Sequence, residues 1–318
     1  MRYEELGASL YVPATRGDLA AILSGRRFDG LRSLILCTED AVSDEHLGEA
    51  LSNVEALLPD LYAVDLPVFV RVRNLDILNN LLRKPHIGHL AGVVLPKFDG
   101  SNATAYLDAL VAHPELLIMP TLETRDVFSV SAMEALRDTI LAHPVRSRIL
   151  AMRIGGNDLM ALLGIRRPHA KTIYETLLGP VISQLVTTFR PYDLPLTAPV
   201  CDAYSTLSIL EQEVEQDLMN GLLSKTAIHP NQVSTIQALY AVSEADLAIA
   251  HKLILPGQKA IFGHDGVMHE RTTHMAWARS VVGRAALFGT QEEQAVTADS
   301  DARYTSGNEV ARLLKESG

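Results

Sequence analysis

Two carboxylates, Glu123 and Asp158, stand at or just behind the ends of short apolar runs at residues 117–123 and 149–155. If these runs are neighbouring parallel strands, their ends lie a few ångströms apart and the two acids can share one cation. A hard ion such as Mg²⁺ prefers oxygen ligands and keeps positions open for water or substrate oxygens. The Gly155-Gly156 pair ahead of Asn157 and Asp158 offers a small-residue turn through which a ligand can approach the backbone. Other apolar runs end at Glu39-Asp40, Lys97 and His229. Arg71 and Arg73 share a face if one strand runs through both, because strand side chains alternate. Arg16 follows the first run, where an anionic ligand tail can lie, and Lys97 and Lys225 are candidates for a phosphate. Surface salt bridges explain these three cations equally well. Helix capping is the competing reading of the rim acids. It suits Asp40, Asp44 and Asn231 and fits Glu123 and the arginines less well, since these lie in or against apolar runs.

The elements that must position these groups are legible as a repeating pattern. Eight short apolar runs occur, at 9–13 (SLYVP), 33–37 (SLILC), 68–72 (VFVRV), 92–96 (GVVLP), 117–123 (LIMPTLE), 149–155 (ILAMRIG), 194–200 (LPLTAPV) and 225–230 (KTAIHP). Several are continuously apolar, as strands buried on both faces should be. Between them lie helical stripes at 44–58, 103–112, 127–142 and 171–189. Strands alternating with helices imply parallel βαβ units, and eight such units close into a TIM (β/α)₈ barrel of about 250 residues. An open doubly wound sheet is the alternative. A helix over 231–255 follows the eighth run. Residues 1–255 are therefore expected to form the barrel, and 256–318 a C-terminal lid and tail with a short apolar cluster at Val310, Ala311, Leu313 and Leu314.

The 318 residues carry 28 Lys and Arg against 38 Asp and Glu, a net charge of −10, which disfavours a nucleic-acid-coating role. Two cysteines are too few for a disulfide scaffold or a four-cysteine zinc site. With neither an apolar leader nor a membrane-length apolar stretch in view, a cytoplasmic protein acting on a small molecule is expected.

The residues then bring a family into view. Residues 9–13 resemble the opening strand of the HpcH/HpaI aldolase and citrate lyase beta-subunit family. Leu36-Cys37-Thr38-Glu39-Asp40-Ala41-Val42 is similar to its D-L-E-D-A-V, and Val70-Arg71-Val72-Arg73-Asn74 to V-R-I-N. Val94-Leu95-Pro96-Lys97 resembles L-P-K, Leu122-Glu123-Thr124 resembles I-E-T, and Gly155-Gly156-Asn157-Asp158-Leu159 resembles G-x-x-D-L. The segment from Lys225 to Gln232 is close to G-K-x-x-I-H-P-x-Q, and Asp265-Gly266-Val267-Met268-His269-Glu270 to D-G-x-M-I-D. These eight pieces occur in the family's order across residues 9–270.

The resemblance implies a Mg²⁺-dependent carbon–carbon lyase or aldolase on a TIM barrel. It would cleave a 3-hydroxy acid or its acyl-CoA thioester, so coenzyme A would enter as part of the substrate. By position, Glu123 and Asp158 become the metal ligands, and Arg71 the cation beside a developing enolate. Glu39 and Asp40 form the acidic motif supporting that arginine. Glu270 becomes the acid/base on an appended lid, often supplied by a neighbouring subunit. A homo-oligomer, trimer or dimer of trimers, is the implied assembly. Preorganised positive charge at an enolate and a tuned carboxylate for the hydroxyl proton are what such a cleavage requires.

Three residues depart from the pattern. Cys37 replaces the first acid and reads better as a small buried hydrophobe than as a nucleophile. Arg73 stands where the family has Asn and competes with Arg71 for the enolate. Glu270 is one methylene longer than the family's Asp. These changes point to a divergent branch, similar to lyase-like proteins of tellurium-resistance and stress-response gene clusters. They also motivate two rival readings, a non-catalytic barrel serving as a binding or assembly module and a lyase for a phosphorylated, nucleotide-linked substrate. His264, His269 and His274 match no zinc spacing and read as a solvated lid, and Trp277 marks a docking helix.

Overall fold

A computed structural model describes residues 1–24, 28, 30–257 and 259–293. The chain divides into two compact units, residues 1–236 and a second beginning at Gln237.

The first unit contains eight parallel strands: β1 Ala8–Pro13, β2 Ser33–Cys37, β3 Val68–Arg71, β4 Gly92–Leu95, β5 Leu117–Leu122, β6 Met152–Ile154, β7 Leu196–Thr197 and β8 Lys225–Ala227. They hydrogen-bond in the order β7-β6-β5-β4-β3-β2-β1-β8. A parallel bridge between Ala198 and Lys225 joins the two ends, so the sheet curls into a barrel and the open doubly wound alternative falls. Helices α1 Leu19–Leu23, α2 Leu47–Leu57, α3 Leu75–Leu82, α4 Ala103–Ala109, α5 Val130–Ala142, α6 Gly156–Leu162, α7 Leu178–Phe189 and α8 Leu207–Met219 connect successive strands, with both α6 and α7 between β6 and β7. The continuously apolar runs are buried as expected, and every residue of β2, β3 and β4 is buried. Tyr3 and Leu6 of the N-terminal turn pack with Ile35, Phe69, Val94 and Met119 into one core cluster.

Strand and helix limits shift where local chemistry overrides the pattern. β3 ends at Arg71 because Asn74, whose side chain accepts from Ile77 N at 2.9 Å, already caps α3. The helix expected over 171–189 begins only at Leu178, because Thr172 and Glu175 form a capping box around a separate short turn.

Lys225, considered above for a phosphate, is fully buried. Its ammonium pairs with Glu213 at 3.0 Å and Asp217 at 2.8 Å, both on α8. Arg167 also donates to Glu213, and Tyr174 donates to Asp217 at 2.6 Å. The network locks β8 to α8. Burial pushes Asp217 up to about 6 despite the Lys225 charge.

α9 Pro230–Leu239 and α10 Glu244–Ile254 replace the single helix expected over 231–255. Ser243 divides them by accepting from Asp246 N at 3.1 Å as the cap of α10. The second unit also holds a hairpin, β9 Ile261–His264 with β10 Val267–Glu270, and the long α11 Arg271–Phe288. Its two-residue turn has Asp265 at φ 47° and Gly266 at φ 77°, the left-handed pair that a tight hairpin needs. Ala278 and Val281 of α11 pack with Ala250 and Leu253 of α10, while Trp277 is 38% exposed. The apolar cluster at 310–314 lies outside the described residues. Among the described residues, no helix is long and apolar enough to cross a membrane.

Candidate active site

The carboxyl ends of β2, β3, β4 and β5 gather one charged cluster. Arg71, the last residue of β3, is 8% exposed. One of its terminal nitrogens reaches Glu39 Oε2 at 2.9 Å, Glu123 Oε1 at 3.0 Å and Asp40 Oδ2 at 3.1 Å. Its Nε is buried without a hydrogen-bond partner. Lys97, just beyond β4, places its ammonium 2.6 Å from Glu39 Oε1, 3.6 Å from Asp40 and 3.7 Å from Asp158. Its backbone adopts φ 47°, a costly region for a side-chain-bearing residue, and its N–H donates to Glu123 Oε1 at 2.8 Å. Two cations thus face four carboxylates.

That imbalance shows in the acid–base behaviour. Burial pushes the Glu123 carboxyl up to about 7; the nearby Arg71 pulls it down and the Asp158 charge pushes it further up. Glu39 is also raised, by burial and by its hydrogen bond with Asp40. Burial alone would raise Asp40, but the bond to Glu39 and the charges of Arg71 and Lys97 hold it below the usual carboxylate range. Burial raises the Cys37 thiol, which suits its reading as a small hydrophobe.

Gly155 is needed here for contact. A Cβ on it would lie 2.4 Å from both Glu123 Cβ and Oε2. Gly156 meets Ile173 and Pro199 in the same way, at 2.8 and 3.0 Å. Together they bring the start of α6, and Asp158 in its first turn, against the end of β5. Asn157 donates to Asp202 at 2.9 Å.

A cavity of about 240 Å³ opens at this rim, and its lining includes Asp40, Arg71, Glu123, Gly155, Gly156, Asn157 and Asp158. A second cavity, of about 590 Å³, shares Glu123 and Asp158 and adds Lys97 and Arg125. The two carboxylates therefore border both spaces.

Two expected ligand-binding arginines are placed elsewhere. Arg73 lies beyond β3, so strand alternation does not carry it to the cavity. Its guanidinium binds the carbonyls of Thr38 and Glu39 at 3.2 Å, the Val42 carbonyl and the Asp44 carboxylate. It secures the loop bearing Glu39 and Asp40, which leaves Arg71 as the cation at Glu123. Arg16 forms a bidentate pair with Asp18 at 2.7 Å and lines neither cavity. With Lys225 also consumed, the cations that motivated a phosphorylated substrate are reduced to Lys97. Glu270 ends β10 in the second unit, where Thr273 donates to its carboxylate at 3.5 Å. No group of three His, Cys, Asp or Glu side chains suited to a metal occurs among the described residues, the His264–His274 segment included.

Sequence reading missed Arg153, Tyr11, Thr121 and Thr226, which line the first cavity from within the barrel. A signal existed for Arg153, a cation inside the otherwise apolar run ILAMRIG.

With this geometry in view, comparison with known proteins is informative. A family model described as carbon–carbon bond lyase of the TIM-barrel fold matches residues 1–290. The chain belongs to this family. A (3S)-malyl-CoA thioesterase of Cereibacter sphaeroides is 25% identical to this lyase-family chain over 287 residues, covering 87% of it and 93% of the relative. Among solved structures, the protein CitE of Mycobacterium tuberculosis, in complex with magnesium, acetoacetate and coenzyme A, aligns with a TM-score of 0.66 at 19% identity. The alignment covers 88% of this chain and 98% of that one. A citrate lyase of Burkholderia xenovorans aligns with a TM-score of 0.71 at 17% identity, covering 90% and 93%. Both structures share the barrel fold seen here.

Proposed function

We propose that this member of the family is a Mg²⁺-dependent carbon–carbon lyase acting on a 3-hydroxy acid or its acyl-CoA thioester. The observation that carries the proposal is the charge count of the ion-paired rim cluster, which Arg153, deeper in the barrel, does not join: Arg71 and Lys97 against Glu39, Asp40, Glu123 and Asp158. Two uncompensated negative charges match one divalent cation, and the like-charge push of Asp158 on Glu123 would be relieved by it. Glu123 and Asp158 would hold the ion. Their donors are hard oxygens, and with only two such acids the rest of an octahedral shell falls to water and substrate oxygens. The relative named malyl-CoA thioesterase and the CitE complex with magnesium and coenzyme A support the choice of ion and substrate class.

When bound, the ion would supply Lewis-acid polarisation of a substrate oxygen. The remaining work belongs to the chain. The β-hydroxyl proton passes to a carboxylate, the carbon–carbon bond breaks and a new carbonyl forms. The bonding electron pair moves onto the enolate of the departing acyl group, which is later protonated. Arg71, rigidly held by three carboxylates, places fixed positive charge where that enolate develops. Glu270 is assigned as the proton-transferring carboxylate on its match to the family motif. A homo-oligomer, trimer or dimer of trimers, belongs to the same proposal.

The relative's name favours one competing reading, hydrolysis of the thioester. Products separate the two. Cleavage yields a carbonyl compound and a shorter acyl-CoA, whereas hydrolysis yields the intact hydroxy acid and free coenzyme A. Mg²⁺ titration by calorimetry should show binding to the wild type and its loss in Glu123→Gln and Asp158→Asn. Unchanged affinity in both variants would overturn the metal assignment. Absence of turnover with every 3-hydroxyacyl thioester would favour a binding module.

A further inference from the structure

Arg153 poses a problem that the charge cluster does not solve. It lies in the middle of β6, is only 2% exposed, and lines the cavity. Arg71, the other cation lining that cavity, meets three carboxylates. Arg153 has no carboxylate within ion-pair distance among the described residues. Its contacts are Thr226 Oγ1 at 2.5 Å, the weakly accepting sulfur of Met119 at 3.6 Å, and the face of Tyr11 with the ring centre 5.3 Å away. A buried, unpaired guanidinium costs several kcal/mol, so its retention calls for a counter-charge. Barrel interiors of this class are ordinarily filled by Val, Ile and Leu.

The neighbours of Arg153 share this lack. Thr121, its register partner on β5, has a buried hydroxyl with no hydrogen-bond partner, and so does Thr197, its register partner on β7. Thr121 also lines the cavity. It precedes Glu123 by two positions, so it shares that face about 7 Å deeper in the barrel.

We propose that Arg153 and the Thr121 hydroxyl form a second anion subsite, which takes a substrate carboxylate distinct from the one at the metal end. The preferred substrate is then a short dicarboxylic compound spanning the depth between Glu123 and Arg153. This deepens the lyase reading and rests on it for the metal end. One planar guanidinium supplies two parallel donors and one positive charge, which suits a carboxylate. A doubly charged phosphate would need further cations, and the other cation lining this cavity, Arg71, is already held by three carboxylates.

The test uses acids that differ only at the far end. With Mg²⁺ present, 2-oxoglutarate is compared with 2-oxopentanoate, and oxaloacetate with 2-oxobutyrate, by calorimetry. The full-length wild type should bind at least one diacid about tenfold more tightly than its monoacid, as a charge-assisted bidentate contact provides. Arg153→Met should abolish the preference while leaving monoacid binding in place. Arg153→Lys should restore part of it. Thr121→Val keeps the cation if Arg153→Met fails to fold, and should reduce the preference severalfold. Equal binding of diacid and monoacid by the wild type would overturn the subsite, as would tighter binding of inorganic phosphate than of either diacid. If instead neither class binds in a Mg²⁺-dependent way, the metal-site reading has failed, and the diacid preference measured without Mg²⁺ then decides the subsite by itself.

Discussion

Replacing Glu123 by Gln should change how stability depends on pH, and the size follows from the site. Burial and Asp158 lift the Glu123 carboxyl from an ordinary 4.5 to about 7 against the pull of Arg71. Between those values the folded protein keeps a proton that the unfolded chain has released. Stability therefore falls as pH rises through this window and levels off above about pH 7. At about 1.36 kcal/mol per pH unit, the full loss is about 3 kcal/mol. Gln does not titrate, and its carbonyl can still accept from Arg71 and from the Lys97 N–H, the two bonds that Oε1 makes now. The difference between wild type and variant thus isolates this carboxyl, since other titrating groups cancel. Urea unfolding of chelator-treated protein at pH 5 and pH 8 measures it. The wild type should lose about 3 kcal/mol relative to Glu123→Gln between the two. A pH-independent difference, or a wild type that gains on the variant as pH rises, would show that Arg71 outweighs burial and would refute the reasoning.

Gly155→Ala should cost about 1–3 kcal/mol, because the added Cβ would fall 2.4 Å from Glu123 Cβ and Oε2 and must displace the carboxylate; thermal melts and Mg²⁺ affinity should both decline, and wild-type values for both would contradict the packing argument. Lys225→Met should cost about 3–5 kcal/mol by leaving Glu213 and Asp217 buried beside only Arg167. Urea unfolding measures that loss, and recovery of most of it by Asp217→Asn in the same chain, which leaves the Arg167–Glu213 pair intact, would identify the stranded charge as the cause.

Residues 33–37, whose side chains are apolar or small, could be recognised as a strand without coordinates, because a run buried on both faces has no other economical place in a βαβ array. The ordered motifs likewise named Glu39, Arg71, Glu123 and Asp158, since these chemistries sit at strand ends, where one-dimensional spacing still marks them. Choosing between Arg71 and Arg73 required the chain path. β3 stops at Arg71, and two residues of loop are enough to turn Arg73 onto the 38–44 segment. Lys225 looked like a rim cation until α8 brought two acids to it from 8 and 12 positions away in sequence. Arg153 shows the same limit. Its residue type was visible inside an apolar run, but its lack of a counter-ion depends on side chains from β1, β5 and β8. Periodicity and strand-end motifs are local and survive in the linear order of residues. Charge balance inside a barrel is a sum over strands distant in sequence, and closure of the sheet sets its terms.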